Sequence, residues 1–207
     1  MKIRITLTED MLGTKAANKD VFADFIASKA PDGDLRKEEL DTAEHREEAG
    51  TTIFHRDPAT GQLMIWDYQV KGFLKEAGNI MRQAEEDPGT DEATGKKARK
   101  KWGNAKSKID NFIFVFPRKI ILGKAKPDDI CERPLRAETM QGPRVSLARS
   151  EVVGSGTSFE CEIRIFPGSP ITEEMVRACL DYGALKGLGQ WRNSGKGRFT
   201  WEEITSK

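Results

Sequence analysis

The chain has 207 residues, of which 37 % are hydrophobic and 32 % are charged, and its formal net charge is +1. This length and composition are typical of one globular domain that carries insertions. No apolar run approaches the roughly 20 residues of a membrane-spanning helix, and residues 1–8 alternate instead of forming a signal-peptide core, so we expect a cytoplasmic protein that does not bind membranes. Three irregularly spaced cysteines and two histidines favour neither a disulfide framework nor a metal centre, and we expect no cofactor.

The charges are segregated along the chain. Residues 20–48 contain ten acidic and four basic residues, and residues 85–92 contain five acidic ones. Residues 96–149, in contrast, contain fifteen basic and five acidic residues. Such segregation steers a polyanion toward one part of a surface, although a solvated basic face with acidic neighbours has the same composition. Charge alone therefore leaves polyanion binding and simple solvation open.

Hydrophobic periodicity and turn residues predict the secondary structure. The apolar stripe of residues 70–84 predicts a core-facing helix, and the continuous apolar run 112–116 predicts a strand buried on both faces. In chain order we first expect a strand at 2–8, a helix after Asn18, a charged exposed segment at 35–49 and a hairpin at 52–57 and 62–68. A helix at 70–84, a basic helix at 96–108, a strand at 112–116 extended by 120–122 and a polar excursion at 124–148 follow. The last elements are a strand at 157–166, a helix at 172–183 capped by Thr172 and a strand at 198–204.

Without the insertions, the order of these elements is β-α-β-β-α-β. This order predicts an α+β, ferredoxin-like (split β-α-β, RRM-type) fold, in which a four-stranded antiparallel sheet carries both helices on one face. We expect a single domain over residues 1–207, with insertions at about 10–68, 86–110 and 124–150. RNA-recognition domains of this topology stack bases on aromatic residues of the open sheet face. Charged residues such as Arg4 and Glu160 stand at the central positions here, so we do not expect bases to stack there.

A glycine-rich basic segment, residues 183–199, joins the last helix to the last strand. Its five glycines permit positive φ angles and close approach of the backbone to an anion. No Gly-Lys-Ser/Thr stands before a helix, so the segment is not a Walker loop. We interpret it as a contact to a phosphate backbone, and the alternative is a flexible connector. The basic side chains of the segment are Lys186, Arg192, Lys196 and Arg198.

Residues 187–199, Gly-Leu-Gly-Gln-Trp-Arg-Asn-Ser-Gly-Lys-Gly-Arg-Phe, resemble the C-terminal glycine-rich signature of the RAMP superfamily. These repeat-associated proteins form the RNA-binding backbone of CRISPR effector complexes, and type III subunits are the most similar. Residues 65–75 and 145–165 resemble two further family blocks in the same order. The family's Pro-Gly-Ser-Ser is here Trp66-Asp67-Tyr68-Gln69, and the chain is small. The pattern is therefore most similar to small, stand-alone, phage-borne members.

The resemblance implies that the partner is single-stranded RNA or DNA, along which copies of the chain assemble side by side. It also implies that the arginine-rich excursion at 124–148 is a projecting hairpin that wedges between segments of the bound strand, and the alternative is an ordinary ordered loop with solvated arginines. Arginine contacts phosphate bidentately and stacks on bases, and aromatic side chains stack on bases. The expected nucleic-acid-binding residues are Lys71, Arg133, Arg136, Arg144, Lys186, Gln190, Trp191, Arg192, Asn193, Lys196 and Arg198.

Two other functions remain open. Related nucleases use histidine as a general base, so a metal-independent endoribonuclease with His55, Tyr68 and Lys71 is conceivable. No spacing fixes these three side chains together, and a surface histidine in a hairpin is the simpler interpretation, so we assign no catalytic residue. The other function is a phage protein that mimics or blocks a CRISPR effector backbone or another host defence protein. Such a protein would bind a protein partner and no free oligonucleotide.

Overall fold

The computed structural model describes residues 1–17, 51–86, 100–139 and 142–204, without the side chains of 135–147. The helix expected after Asn18, the charged segment at 35–49 and residues 96–99 of the basic helix lie outside the described residues. The strands are β1 (Lys2–Leu7), β2 (Met11–Leu12), β3 (Lys15–Ala16), β4 (Thr51–Ile53), β5 (His55–Arg56), β6 (Leu63–Trp66), β7 (Ile113–Phe116), β8 (Lys119–Ile121), β9 (Asp129–Thr139), β10 (Gly142–Val153), β11 (Ser158–Ile165) and β12 (Phe199–Glu203). The helices are α1 (Asp67–Ala84), α2 (Ala105–Phe112), α3 (Glu173–Asp181) and the short α4 (Gly183–Lys186), followed by a 3₁₀ turn at Arg192–Ser194.

Four strands form an antiparallel sheet in the order β12-β1-β11-β7. The strand β1 alternates, because Ile3, Ile5 and Leu7 are buried while the residues between them are more exposed. On the open face, Arg4 lies opposite Glu160 and Glu202, and its guanidinium donates to both carboxylates at 2.8 and 2.9 Å. The predicted α+β class and four-stranded antiparallel sheet are confirmed, and the centre of the open face is charged and ion-paired.

The core lies between this sheet and the helices α1 and α3, which contact each other. The helix α1 buries the predicted stripe that begins with Val70 and Phe73, and the Phe73 ring lies 5.2 Å from that of Phe199. The helix α3 begins after Thr172, whose hydroxyl accepts a hydrogen bond from the Met175 amide, as predicted. Burial of each large apolar side chain stabilises the fold by about 1.5–3 kcal/mol. None of the helices in the described ranges is long and apolar enough to cross a membrane.

The strand β7 lies at the edge of the sheet and is buried on one face alone. Ile113 and Val115 point into the core, whereas Phe114 and Phe116 are 42 % and 41 % exposed on the open face. The expectation that both faces are buried is therefore wrong. The extension of β7 beyond Pro117 is also wrong, because proline has no N–H for the strand ladder and β8 pairs with β6 in another sheet.

The excursion is a long antiparallel hairpin made of β9 and β10. Its pairing runs from Asp129 opposite Val152 to Thr139 opposite Gly142. At its base, β10 also pairs with β2 and β4, at residues 149–153. Among the described residues, β9 is the one strand that pairs with β10 from Gly142 to Ala148. The base of the hairpin is therefore part of a mixed sheet, and its distal part is held by the pairing of β9 with β10.

Candidate nucleic-acid interface

The backbone of the glycine-rich segment is tightly packed. Gly197 has a φ of +73°, and its amide donates to the Asp10 carbonyl at 2.7 Å while its carbonyl accepts from the Leu188 amide at 2.8 Å. A Cβ atom on Gly197 would lie 1.8 Å from the Leu188 carbonyl oxygen. Glycine is therefore required where the chain at residue 197 crosses the chain at residue 188. These contacts hold residues 187–199 in a defined structure, which we call the platform, so the segment is not a flexible connector.

Trp191 lies at the surface of this platform. Its backbone is in the left-handed region, with a φ of +55°, and its side chain is 44 % exposed. A bulky residue in that region costs about 1–3 kcal/mol, which is typical of positions retained for a function. The guanidinium carbon of Arg133 lies 5.1 Å from the centroid of the Trp191 ring. A core position for Trp191 is thus excluded, and the hairpin and the glycine-rich segment meet at this side chain.

Arg133 also binds polar neighbours of Trp191. Its guanidinium donates to the Ser150 hydroxyl at 3.2 Å and to the Gln190 side-chain oxygen at 3.3 Å. The Thr52 hydroxyl donates to the same Gln190 oxygen at 3.4 Å. We call Arg133, Gln190 and Trp191 the Trp191 cluster. Three predicted binding residues from two distant parts of the sequence therefore form one surface.

Two further basic side chains converge on one carboxylate of α1. The Lys186 Nζ lies 3.5 Å from Glu76 Oε1, and an Arg192 nitrogen donates to Glu76 Oε2 at 2.5 Å. The Lys186 Nζ also donates to the Asn193 side-chain oxygen at 3.2 Å. We call Glu76, Lys186, Arg192 and Asn193 the Glu76 cluster. Two cations around one carboxylate leave a net positive charge, which suits a second anion.

The remaining basic residues of the segment differ in their surroundings. The Lys196 ammonium donates to Asp10 at 2.8 Å, and this contact holds the pKa of the Asp10 carboxyl below its usual range and raises the pKa of Lys196. Lys196 therefore ties the segment to the loop between β1 and β2. Arg198 is exposed, and its Nε donates to the Leu185 carbonyl at 3.2 Å. Of these two side chains, Arg198 is the better placed to contact a ligand.

Three predicted binding residues remain, namely Lys71, Arg136 and Arg144. The Lys71 Nζ donates to the Asp110 carbonyl at 2.7 Å and lies 5.3 Å from the centroid of the Phe114 ring. Lys71 and Glu76 are five residues apart on α1, so they leave the helix about 140° apart. Arg136 and Arg144 belong to the distal part of the hairpin, where they pair with Val145 and Ala137. Their side chains lie outside the described part of the chain.

The histidine considered for catalysis is buried. His55 is 3 % exposed, and its ring packs edge-on against Trp66 at 5.6 Å. Burial, with a smaller contribution from Lys15, lowers the pKa of His55 to about 3. The expected surface position of His55 is therefore wrong. A general base must reach the proton that it abstracts, and the buried ring of His55 is not accessible to a ligand at the surface. The described residues include no group of three or more His, Cys, Asp or Glu side chains that could hold a metal ion.

Sequence reasoning missed the acidic partners of the site. Asp10 lies 186 residues from Lys196, and Glu76 lies 116 residues from Arg192. Neither carboxylate belongs to a motif, and Glu76 stands directly before the buried Ala77 in the apolar stripe of α1. A single sequence carries no signal for such long-range pairs, because a surface carboxylate on a helix usually contacts solvent.

No protein-family model matches the sequence, and no curated protein matches it. Among solved structures, the chain is similar to a chain of the type III-B Cmr-beta complex bound to cognate target RNA, with 11 % identity and a TM-score of 0.47. The match covers 99 % of the present chain and 58 % of that chain, so the present chain spans less than two thirds of its length.

Proposed function

We propose that the protein binds single-stranded nucleic acid, RNA or DNA, with tolerance of sequence. The observation that carries this proposal is the stack of Arg133 on the exposed, left-handed Trp191, beside a segment with four basic side chains. Proteins that bind single strands combine aromatic side chains, on which bases stack, with cations that follow the phosphates. The Trp191 cluster supplies the first part, and Arg198 with the Glu76 cluster supplies the second.

Each side chain has a distinct task under this proposal. A base stacks on the Trp191 ring on the side away from Arg133, and Gln190 offers hydrogen bonds beside the ring. Phosphates bind Lys186, Arg192 and Arg198, and the long hairpin separates successive segments of the strand. Contacts of this kind go to backbone and ring faces that all nucleotides share, which explains the tolerance of sequence.

The topology supports a finer proposal about the fold. The sheet order β12-β1-β11-β7, with α1 between β1 and β7 in sequence and α3 between β11 and β12, supports a ferredoxin-like domain. Together with the glycine-rich motif it supports a small RAMP-type protein, of the stand-alone phage-borne kind, over residues 1–207. In this proposal copies lie side by side along the strand.

The test replaces Lys186, Arg192, Lys196 and Arg198 with glutamine in one variant. We expect single-strand binding to weaken strongly and the slope of log K against log[salt] to decrease by about 2, at about 0.7 for each phosphate contact of Lys186, Arg192 and Arg198. The ion pairs of Lys186, Arg192 and Lys196 are partly exposed to solvent and contribute at most about 1 kcal/mol each, so the variant remains folded. Fluorescence anisotropy with labelled oligouridylate and oligothymidylate over a salt series measures both quantities, and thermal denaturation checks folding.

A matched control variant loses the same charge elsewhere. Lys2, Arg4, Lys101 and Arg177 are exposed cations that pair with carboxylates away from the glycine-rich segment. Their replacement by glutamine should leave affinity and salt slope close to those of the unmodified protein. Equal losses in the two variants would mean non-specific attraction. A protein that binds neither oligonucleotide but binds a protein partner contradicts the proposal and favours the mimic.

A further inference from the structure

Two exposed aromatic rings stand side by side on the edge strand β7. Phe114 and Phe116 are 42 % and 41 % exposed, and residues two apart on a strand lie on one face, about 6.6 Å apart. They lie opposite Arg164 and Glu162 of β11. The open face therefore carries ion pairs at its centre and two phenylalanine rings at one edge, an arrangement that the sequence pattern did not predict.

Each ring lies beside a cation. The Arg164 guanidinium carbon lies 4.6 Å from the centroid of Phe116, and the Lys71 Nζ lies 5.3 Å from that of Phe114. Arg164 also donates to Glu162 at 2.8 Å, which fixes its plane over the ring. An arginine plane and an aromatic ring both accept a stacked base. Spacing and chemistry at this edge therefore match successive nucleotides of an extended strand.

The basic surface continues from Phe114 into an open cleft between α1 and α2. The cleft is lined by Lys75, Arg82, Lys106 and Asp110, with asparagine and serine side chains between them. The Lys75 Nζ lies 2.9 Å from Asp110, which also accepts from Lys71 through its backbone carbonyl. Three cations and one carboxylate give the cleft a net positive charge, which suits phosphate groups.

We infer that the edge of β7 and the cleft between α1 and α2 form a second contact surface for the same single strand. Bases stack on Phe114, Phe116 and the Arg164 plane, and phosphates bind Lys71 and the cleft. This inference rests on the proposed function. The inferred surface extends the proposed site, because Lys71 and the Trp191 cluster lie on opposite flanks of α1. The strand then contacts both flanks of this helix.

The charge of this surface favours a nucleic acid over a second copy of the chain. Five cations, contributed by Lys71, Lys75, Arg82, Lys106 and Arg164, surround the two rings and the cleft. The carboxylates of Asp110 and Glu162 offset two of them. An identical copy would bring the same positive charge to the contact, whereas a phosphate chain neutralises it.

The experiment measures the affinity of the full chain for two oligomers, oligouridylate and an abasic sugar-phosphate oligomer of equal length. Phe114 and Phe116 are both replaced by serine in one variant and by leucine in a second, which keeps the apolar volume but removes the flat ring. We expect both variants to bind oligouridylate at least fivefold more weakly, the smallest loss expected for one stacked base. We expect unchanged affinity for an abasic sugar-phosphate oligomer of equal length, because it has no base to stack. Lys75→Gln with Lys106→Gln should weaken binding of both oligomers.

Ile130→Ser is the control, because Ile130 is an exposed apolar residue of β9, a strand that pairs with β10 in another sheet. It should bind oligouridylate as the unmodified protein does. Unchanged oligouridylate affinity of the serine and leucine variants overturns the inference and leaves the proposed function intact. Unchanged affinity together with lost self-association in sedimentation also overturns it, since the edge would then contact another protein chain. Absence of oligonucleotide binding by the unmodified protein overturns both proposals.

Discussion

At the scale of single residues, the site depends on backbone positions that most side chains avoid. Trp191 combines a left-handed backbone with an exposed ring, so its conformation lowers stability while its ring is available to a ligand. Gly197 stands where a Cβ atom would overlap the Leu188 carbonyl. The first residue is placed for binding and the second for construction of the platform, so substitutions at the two positions separate these roles.

Trp191→Gly should change binding and stability in opposite directions. Glycine adopts positive φ freely, so the free energy of unfolding rises by about 1 kcal/mol. Loss of the stacked ring weakens single-strand binding by about 1–3 kcal/mol. Chemical denaturation and anisotropy measure the two effects. A variant that loses both stability and affinity would show that the ring acts through packing.

Gly197→Ala should destabilise the fold by more than about 2 kcal/mol, through the overlap with the Leu188 carbonyl together with the strained φ. Gly156→Ala is the control, because Gly156 has a φ of +81° and no atom lies within 4 Å of the place that its Cβ would take. The control carries the φ strain alone. Urea denaturation of both variants measures the difference. Equal losses of stability would contradict the close crossing of the chain at residues 188 and 197.

At the scale of elements, α1 connects the core to the site. One side of the helix buries Val70, Phe73 and Leu74, while Lys71 and Glu76 emerge on its two flanks. The Glu76 carboxylate occupies the place between Lys186 and Arg192 that a phosphate would take. An internal carboxylate of this kind holds the cations in position and competes with the ligand for them.

Glu76→Gln should therefore strengthen single-strand binding severalfold at low salt, since two cations become available to phosphate. The gain should decrease as salt screens the charges. Stability should change by less than about 1 kcal/mol, because the pair is partly solvated. Glu173→Gln on α3 is the control and should leave affinity unchanged. Weaker binding by Glu76→Gln would show that the carboxylate positions the cations more than it competes with the ligand.

At the scale of the whole molecule, the sheets meet around buried polar side chains. His55 and Glu151 are almost fully buried, and Glu151 accepts from the Phe54 amide at 2.9 Å and lies 3.6 Å from Arg56. Burial holds His55 neutral in the folded protein, with a pKa of about 3, whereas an unfolded chain has a histidine pKa of about 6.5. The unfolded chain therefore binds a proton that the folded chain does not.

The fold should accordingly become less stable as the pH falls below about 6.5. The stabilisation by neutral His55 is complete above that value and is lost progressively toward pH 3. Between pH 6.5 and 5 the loss amounts to about 2 kcal/mol. Urea denaturation across this range measures it, and His55→Leu should flatten the dependence. Equal slopes in both proteins would assign the acid sensitivity to carboxylates.

Local sequence patterns are sufficient to predict several elements of the fold and to single out the glycine-rich segment as a candidate site. The helix α1, the capped start of α3 and the alternation of β1 follow from periods of 3.6 and 2, which are properties of neighbouring residues. The order of the elements predicted the four-stranded antiparallel sheet. Glycines and cations between the last helix and the last strand marked Trp191 and its neighbours as candidates.

Which of these residues come into contact depends on the packing of elements that are distant in sequence. Arg133 stacks on Trp191 across 58 positions of sequence, and the pairs of Glu76 and Asp10 span still longer separations. Phe114 and Phe116 are exposed because β7 lies at the edge of its sheet. His55 is buried because other elements cover the hairpin of β5 and β6. Strand pairing of this kind is a non-local property, because it brings together residues whose own sequence neighbours do not specify the partner.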